Sequence, residues 1–251
     1  MKFIGIIPAR YASTRFPGKP LVEIQGKSMI QRVYEQALKC PHLHAVTVAT
    51  DDMRIFDHVL QFGKVVLTSE KHLSGTDRCF EAAELLSDDF QINSQDVIIN
   101  IQGDEPFIKP EQIEDLCKCF EDAQSQIATL VKKIDNSQML FDPNVVKVVF
   151  DNSGKALYFS RSPIPYCRAA ESTNWVNKLN YFRHLGMYGY RFNVLQLITK
   201  LGVSSLEKAE SLEQLRWIQN GFSIQTRITH FDAMAIDTPA DLEKIVSALN
   251  P

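Results

Sequence analysis

The sequence FIGIIPARYASTRFPGKP, residues 3–20, combines a short apolar run with a basic loop. The apolar run is typical of a buried strand. A loop that leaves the end of such a strand lies where open α/β sheets bind ligands. This loop carries Arg10, Arg15 and Lys19. Three cations so close together indicate a ligand with concentrated negative charge, of which a nucleoside triphosphate is the simplest. A solvated basic loop is the alternative that composition alone leaves open.

Short apolar runs recur along the first 150 residues and predict the strands of a sheet. They cover residues 3–7, 45–50, 64–67, 97–102, 127–131 and 145–150. Helix-period stripes lie between most of them, for example over 29–38 and after Pro110. This alternation predicts an α/β fold whose sheet is mainly parallel, with helices on both faces.

The pattern changes after residue 150. Strands are predicted over 156–160, 186–192 and 225–229, and the end of a further strand near residues 235–237. Residues 161–181 predict a long loop of the kind that forms lids, binding loops or interfaces. One helix is predicted over 206–220 and ended by Gly221, and a last helix from Thr238 to about Leu249. We interpret residues 1–251 as one domain with an insertion at about 155–205.

The composition argues against a polyelectrolyte partner. The chain has 251 residues, of which 45% are hydrophobic and 23% charged, and its net charge is −3. No field of one sign covers such a surface, so neither nucleic acid nor membrane insertion is expected. Five cysteines, an odd number, and a first apolar run too short for a signal peptide predict free thiols in a reducing cytoplasm.

Two acidic turns are candidates for a metal site. Residues 97–106 read VIINIQGDEP and predict a strand that ends at an acidic turn with Asp104. Asp237 is predicted at the end of a separate strand. Two carboxylates opposite a basic loop suit Mg²⁺ that bridges protein and phosphate oxygens. The capping of turns by these aspartates is the alternative.

Three further groups are weaker signals. The sequence SGTDR at 74–78 precedes a predicted helix over 79–86 and could present backbone donors to a base or phosphate, or serve as a simple N-cap. His184 and Tyr188 lie four residues apart and share one face of a predicted strand. Together with Arg161, they could bind an acidic, hydroxyl-rich substrate. The polar face that carries Glu213 and Gln214 is by default a solvated helix surface.

An ordered series of motifs resembles the sugar-acid cytidylyltransferases. The motifs are IPARYASTRFPGKPL at 7–21, ATDD at 49–52, SGTDR at 74–78, NIQGDEP at 100–106, YFSRSPIP at 158–165, HLGMY at 184–188, ESLEQLRW at 210–217 and IDTPADL at 236–242. The resemblance covers residues 3 to about 245. It implies a nucleotidyltransferase fold with a mixed, mainly parallel central sheet flanked by helices, and a smaller β layer used for homodimerisation.

The resemblance also implies a reaction. CTP and a sugar acid would give a CMP-sugar acid and diphosphate, with Mg²⁺ as cofactor. The YFSR and HLGMY motifs favour 3-deoxy-manno-octulosonate (Kdo), whose CMP derivative serves lipopolysaccharide synthesis, over sialic acid or 8-amino-Kdo. A non-catalytic nucleotide-binding protein of the same fold is the alternative from another class.

By the same resemblance, the site residues fall into three groups. Residues that bind the nucleotide are Ala9, Arg10, Ser13, Arg15, Lys19, Gly75, Thr76, Arg78 and Gln102. Residues that surround the sugar acid are Gln102, Arg161, His184, Tyr188, Glu213 and Gln214, with Arg161 as the partner of its carboxylate. Asp104 and Asp237 would hold the metal, and with Arg10 and Lys19 they form the expected catalytic set.

Overall fold

The computed structural model describes residues 1–12, 16–232 and 235–249. Its strands are β1 (Phe3–Ala9), β2 (Glu23–Ile24), β3 (Lys27–Ser28), β4 (Leu43–Thr50), β5 (Val65–Leu67), β6 (Val97–Asn100), β7 (Ile127–Ile134), β8 (Lys147–Phe150), β9 (Ala156–Ser160), β10 (Tyr181–Arg191) and β11 (Ile224–Ile228). Its helices are α1 (Met29–Ala37), α2 (Met53–Val59), α3 (Gly75–Leu85), α4 (Ser87–Phe90), α5 (Pro110–Lys118), α6 (Ser137–Phe141), α7 (Trp175–Lys178), α8 (Phe192–Ile198), α9 (Ser205–Glu210), α10 (Gln214–Gln219) and α11 (Pro239–Leu249).

The chain divides into two compact units. The first contains residues 1–114, 191–199 and the described C-terminal residues 235–249, and the second contains residues 115–190 and 200–232. The segment 155–205, predicted as an insertion, lies for most of its length in the second unit. The division into one domain with an insertion stays a prediction.

The first unit contains a parallel sheet with the order β6-β1-β4-β5. Strand β1 is central, since Gly5 lies opposite Val46 on one side and Ile99 on the other. Ile4, Ile6 and Ile7 of this strand are fully buried. A strand flanked on both sides and covered on both faces has to be apolar throughout, which is why residues 3–7 read as a continuous apolar run.

The helices of the first unit begin where the sequence places capping residues. The Ser28 hydroxyl accepts a hydrogen bond from the Gln31 N–H at 3.3 Å at the start of α1, and Thr238 Oγ1 accepts one from the Asp241 N–H at 3.3 Å at the start of α11. Ile24, Met29 and Ile236 form a buried cluster. This cluster packs the chain after β2 against the segment that leads into α11.

The second unit has a mixed sheet. Strand β11 pairs with β7 in parallel, whereas β7 with β10, β10 with β8, and β8 with β9 are antiparallel. The mixed, mainly parallel α/β fold with helices is therefore confirmed, and a small antiparallel sheet is present, formed by β2 and β3. Its role in dimerisation stays a prediction. Ile134, Leu140, Trp175 and Tyr181 form a second buried cluster in this unit.

The helix predicted over 206–220 is wrong in one respect, because it is two helices. Helix α9 ends at Glu210, its C-cap Ser211 has a left-handed backbone with φ 53°, and α10 begins at Gln214. The end at Gly221 is confirmed, with φ +84° and hydrogen bonds from the Gly221 N–H to the Ile218 carbonyl and from the Phe222 N–H to the Trp217 carbonyl. These two bonds form a Schellman cap.

Three other boundaries differ from the sequence-based prediction. The long loop predicted over 161–181 contains a 3-10 turn at Ser172–Asn174 and the short helix α7, and β10 begins at Tyr181 instead of residue 186. Helix α3 begins at Gly75, four residues before the predicted start. Residues 235–237 are not in a strand. One backbone hydrogen bond holds them, from the Ile236 N–H to the Asp104 carbonyl at 2.9 Å.

The five cysteines are thiols that form no disulfide bond among the described residues, and all except Cys167 are buried. Burial raises the pKa of Cys119 to about 12. Within the described residues, every helix is too short or too polar to span a lipid bilayer.

Candidate active site

A pocket of about 250 Å³ lies in the first unit, at the carboxyl ends of β1 and β6. Its lining residues are Pro8, Ala9, Arg10, Lys19, Pro20, His72, Leu73, Ser74, Gly75, Arg78, Gln102, Gly103, Asp104 and Asp237. The carboxyl ends of parallel strands are the usual ligand sites of open α/β sheets. The structure therefore brings together both predicted acidic turns, the basic loop and the start of α3.

Lys19 lies between the two predicted metal ligands. Its ammonium Nζ is 2.8 Å from Oδ2 of Asp104 and 3.4 Å from Oδ1 of Asp237. The lysine begins a single 3-10 turn, which follows Gly18 with φ +71°. A Cβ on Gly18 would lie 3.1 Å from the Tyr11 ring, so both the backbone conformation and the space favour glycine there. One cation thus neutralises much of the repulsion between two carboxylates.

Gly103 allows the strand that ends at Asn100 to pass close to β1. A Cβ at this glycine would lie 2.9 Å from the carbonyl oxygen of Pro8, a distance that requires the backbone to move. The Asp104 carbonyl then accepts the hydrogen bond from Ile236. These contacts set the two aspartates side by side, although they come from segments more than a hundred residues apart in sequence.

The amino end of α3 forms another wall of the pocket. Ser74 is its N-cap, and its hydroxyl accepts a hydrogen bond from the Asp77 N–H at 3.1 Å. The predicted N-cap role is therefore confirmed, whereas the binding of a base or phosphate there stays a prediction; Ser74 and Gly75 both line the pocket. Thr76 is buried, at 3% exposure, and is not among the lining residues.

Arg78 is buried, with 4% of its surface exposed, and its guanidinium is engaged by protein groups. Its Nη2 donates to Asp51 Oδ2 at 2.5 Å, and its Nη1 donates to Thr68 Oγ1 at 2.6 Å and to the Ser69 carbonyl at 3.4 Å. The side chain therefore joins the start of α3 to the ends of β4 and β5 while it lines the pocket.

The remaining nucleotide residues fall into two sets. Ala9, Arg10 and Gln102 line the pocket, and Arg10 is exposed to solvent. Ser13 and Arg15 lie outside the described residues. Across residues 1–12, 16–232 and 235–249, no group of three or more His, Cys, Asp or Glu side chains could hold a metal ion. A metal here would therefore depend on Asp104 and Asp237 and on oxygens from a ligand.

A second set of predicted residues lies together in the second unit. His184 and Tyr188 of β10 have ring centroids 5.1 Å apart, which confirms that they share a face. Between them, Gly186 and Met187 have no partner on β7 and interrupt the pairing of the two strands. Because two residues are inserted, an even number, His184 and Tyr188 stay on the same face. His184 Nε2 forms a hydrogen bond with Thr129 Oγ1 at 3.0 Å. Burial lowers the pKa of His184 to about 3, so the imidazole is neutral.

Tyr188 and Gln214 each bury a polar atom that makes no hydrogen bond within the described chain. These atoms are Tyr188 Oη and Gln214 Nε2. The Tyr188 ring packs edge-on against Trp217 of α10, with centroids 5.1 Å apart. Burial, together with the charge of Glu213, raises the pKa of Tyr188. Buried polar groups in proteins are almost always paired, so these two atoms mark a place where a bound water or ligand would complete the hydrogen bonds.

Arg161 is engaged by backbone oxygens of the same unit. Its Nε donates to the Glu210 carbonyl at 2.7 Å, its Nη1 to the Pro143 carbonyl at 3.0 Å and its Nη2 to the Ser211 carbonyl at 3.4 Å. These contacts hold the turn between α9 and α10, and so the position of Glu213 and Gln214. Its role as the partner of a substrate carboxylate stays a prediction.

Two residues that line the pocket, His72 and Leu73, are not among the residues predicted from the sequence. Asp51, which pairs with Arg78, belongs to a motif to which no role was assigned. The N-cap at Ser74 could have pointed to both His72 and Leu73. Residues just before an N-cap lie at the end of the helix where its first backbone N–H groups are exposed. Their convergence on the pocket depends on β5 and α3 packing together in this unit.

The family of the chain follows from comparison with known proteins. The sequence model of the family described as "Cytidylyltransferase" matches residues 4–228. The chain belongs to the cytidylyltransferase family. Among curated cytidylyltransferases, it is 54% identical to the 3-deoxy-manno-octulosonate cytidylyltransferase of Parabacteroides distasonis, over 99% of this chain and 98% of that protein. It is 52% identical to the protein of the same name from Cytophaga hutchinsonii, over 98% and 96%.

Solved structures of cytidylyltransferases agree with the fold. A CMP:2-keto-3-deoxy-manno-octonic acid synthetase complexed with CTP superposes with a TM-score of 0.90 and 42% identity, covering 100% of this chain and 99% of that one. A 4-diphosphocytidyl-2C-methyl-D-erythritol synthase superposes with a TM-score of 0.66 at 13% identity, over 99% and 100%. The second likeness concerns the fold alone.

Proposed function

We propose that this cytidylyltransferase transfers CMP from CTP to 3-deoxy-manno-octulosonate, with diphosphate as the second product. Full-length relatives of that name and a similar structure that holds CTP support the proposal. The observation that carries it is Lys19 set between Asp104 and Asp237 in one pocket. This arrangement supplies one cation and two carboxylates where a nucleotide triphosphate and its counter-ion would meet.

The transfer needs positioning and charge neutralisation more than a protein nucleophile. The anomeric hydroxyl of the sugar acid attacks the α-phosphorus of CTP to form the new P–O bond, and its proton passes to solvent water. The bond from the α-phosphorus to the bridging oxygen breaks in line, and diphosphate leaves with the bonding electron pair. Lys19 and Arg10 line the pocket and neutralise charge on the phosphates as diphosphate leaves. The amino end of α3, at Ser74 and Gly75, adds backbone donors.

The pocket fits Mg²⁺ as the cofactor. Magnesium in phosphoryl-transfer sites is commonly bound by one or two carboxylates together with substrate phosphates, and Asp104 and Asp237 are such a pair. When bound, Mg²⁺ would polarise the α-phosphate and favour loss of the proton from the attacking hydroxyl. The backbone hydrogen bond from the Ile236 N–H to the Asp104 carbonyl joins the two segments that carry these aspartates, which supports the proposal.

The second unit supplies the proposed sugar-acid subsite. Tyr188 Oη and Gln214 Nε2 are buried without hydrogen-bond partners in the described chain, and a hydroxyl-rich ligand would satisfy both. His184 is neutral because burial lowers its pKa to about 3, so it would meet such a ligand as a hydrogen-bonding group without charge. Gln102, Arg161 and Glu213 complete the set that we propose for this substrate.

Three wider properties belong to the same proposal. We propose that the protein is a homodimer, works in the cytoplasm and serves lipopolysaccharide synthesis. Cysteines that form no disulfide bond among the described residues agree with a reducing compartment. Light scattering of the purified protein should give a mass of twice 28.5 kDa. A mass of 28.5 kDa at micromolar concentration would contradict the dimer but not the reaction.

The reaction is tested by diphosphate release from CTP, Kdo and Mg²⁺. Wild-type protein should release diphosphate only when all three are present, and Asp104→Ala should reduce the rate by roughly a hundredfold to a thousandfold. Asp89→Asn is the matched control, since Asp89 is an exposed aspartate of α4. If the wild type releases no more diphosphate than Asp104→Ala, the protein is a non-catalytic nucleotide binder. Equal or faster release with sialic acid or 8-amino-Kdo would overturn the choice of Kdo.

A further inference from the structure

Side chains of α3 form hydrogen bonds with the segment that precedes this helix and forms one wall of the pocket. This wall is residues 68–73, which connect β5 to the N-cap Ser74. His72 and Leu73 line the pocket, and Leu73 is 90% exposed. Contact of this apolar side chain with a bound molecule would stabilise the bound state, because apolar surface would be removed from water.

Glu81, on the second turn of α3, contacts the wall at two points. Its Oε2 accepts a hydrogen bond from the Ser69 backbone N–H at 2.8 Å, and the same oxygen pairs with His72 Nε2. Burial acts to raise the pKa of Glu81, but the hydrogen bonds from His72 and Ser69 outweigh it and lower the pKa. The carboxylate is therefore ionised at neutral pH and accepts from both groups.

Arg78 lies three residues before Glu81 and holds the other end of the wall. It donates to Thr68 Oγ1 and to the Ser69 carbonyl. Residues three apart on a helix share one face. Side chains on one face of α3 therefore form hydrogen bonds with both the N–H and the carbonyl of Ser69, and they orient the imidazole of His72.

We propose that His72 and Leu73 contact the nucleoside part of the nucleotide and that Glu81 is the residue that positions His72. This inference rests on the proposed function for CTP as the ligand. Because Glu81 accepts from Nε2, the ring atom that can meet a ligand is Nδ1. A His72–Glu81 pair carries no net positive charge, so this wall does not suit phosphate, which we assign to Lys19 and Arg10. It suits an uncharged base or ribose, with Leu73 covering its apolar face.

The test compares three probes by isothermal titration calorimetry: CTP, CMP and inorganic diphosphate. His72→Ala and Glu81→Ala should each weaken CTP and CMP binding by the same factor, about tenfold, and leave diphosphate binding unchanged. The double variant should bind no more weakly than His72→Ala alone, since Glu81 acts through His72. Glu81→Gln keeps an acceptor for Ser69 and should recover part of the affinity. Glu84→Ala, an exposed glutamate of the same helix, is the matched control.

Each outcome bears on one proposal. CTP and CMP affinities of His72→Ala within twofold of wild type, or a loss that falls on diphosphate, would overturn the assignment of His72. Additive losses in the double variant would overturn the positioning role of Glu81. Leu73→Ser changes an exposed side chain, so the test does not depend on the folding of Glu81 variants, and it should weaken CMP binding several-fold; unchanged CMP affinity would overturn the contact with Leu73. Wild-type protein that binds neither CTP nor CMP would instead contradict the proposed function.

Discussion

Lys19 and Asp104 form an ion pair of 2.8 Å, and the same ammonium lies 3.4 Å from Asp237. The lysine thus occupies the position at which a cation shared by both carboxylates would bind. An ammonium and a divalent ion compete for the same oxygens, since both are held there by charge. Lys19 is also one of the two cations that we assign to the phosphates, so the binding of a magnesium–nucleotide complex would transfer it from carboxylate to phosphate.

Lys19→Met tests both roles of this lysine, as a cation for the phosphates and as a competitor of a divalent ion at the two carboxylates. We expect diphosphate release to fall by roughly a hundredfold to a thousandfold, because a contact to the developing charge is lost. Without nucleotide, the variant should bind Mn²⁺ more tightly than wild type, as measured by electron paramagnetic resonance, because the competing ammonium is gone. Lys27→Met is the control, since Lys27 is an exposed lysine that pairs with Glu35. Mn²⁺ affinity equal to that of wild type would show that the two aspartates are not the metal site.

Gly103→Ala tests the close passage beside β1. The new Cβ would lie 2.9 Å from the Pro8 carbonyl oxygen, so the backbone has to shift. We expect a loss of about 1–3 kcal/mol in the free energy of unfolding, measured with urea, and weaker CTP binding. Gly202→Ala is the matched control, because a Cβ there meets nothing within 4 Å. A fully stable Gly103→Ala protein with wild-type CTP affinity would contradict this account.

Tyr188→Phe tests whether the unpaired hydroxyl is kept for a ligand. Removal of a buried hydroxyl without a partner should leave stability unchanged or raise it by about 1 kcal/mol, because its desolvation cost disappears. The KM for Kdo should rise about tenfold with little change in kcat, since one hydrogen bond to the substrate is lost.

The opposite behaviour is expected of Tyr34→Phe. The Tyr34 hydroxyl accepts a hydrogen bond from the Lys64 N–H at 3.0 Å, so its removal should destabilise the protein by about 1 kcal/mol and leave the KM for Kdo unchanged. If Tyr188→Phe destabilises the protein as Tyr34→Phe does, its hydroxyl has a structural partner, and its assignment to the sugar acid fails.

His184 should make stability depend on pH. Burial lowers the pKa of His184 from 6.5 to about 3, so as the pH falls the unfolded chain takes up the proton first. The contribution of the neutral imidazole is complete above pH 6.5 and is lost progressively toward pH 3. Between pH 6.5 and 5.5, we expect a loss of about 1 kcal/mol in the free energy of unfolding that His184→Gln lacks. His44→Gln, at an exposed site on β4, should behave as wild type. Equal slopes for wild type and His184→Gln would contradict the burial of the imidazole.

Much of the fold could be predicted because its signals are local. The apolar run of β1, the caps at Ser74 and Thr238, and the glycine end at Gly221 each depend on a few neighbouring residues, and the structure contains all of them. The boundaries that were wrong depend on distant contacts. The helix predicted over 206–220 is interrupted at Ser211, and Arg161, fifty residues earlier, donates hydrogen bonds to the carbonyls of Glu210 and Ser211 at this interruption.

The candidate site divides in the same way. Residue types and motif order alone were enough to nominate Lys19, Asp104 and Asp237, because phosphate chemistry needs cations and carboxylates at strand ends. Their arrangement around one ammonium required the folded chain, since Lys19 and Asp237 are 218 positions apart in sequence. The hydrogen bond between Glu81 and His72 likewise depends on the packing of helices and strands. The same is true of the burial of the Tyr188 hydroxyl without a partner. Hydrogen bonding and desolvation depend on three-dimensional neighbours, which periodicity along the chain does not specify.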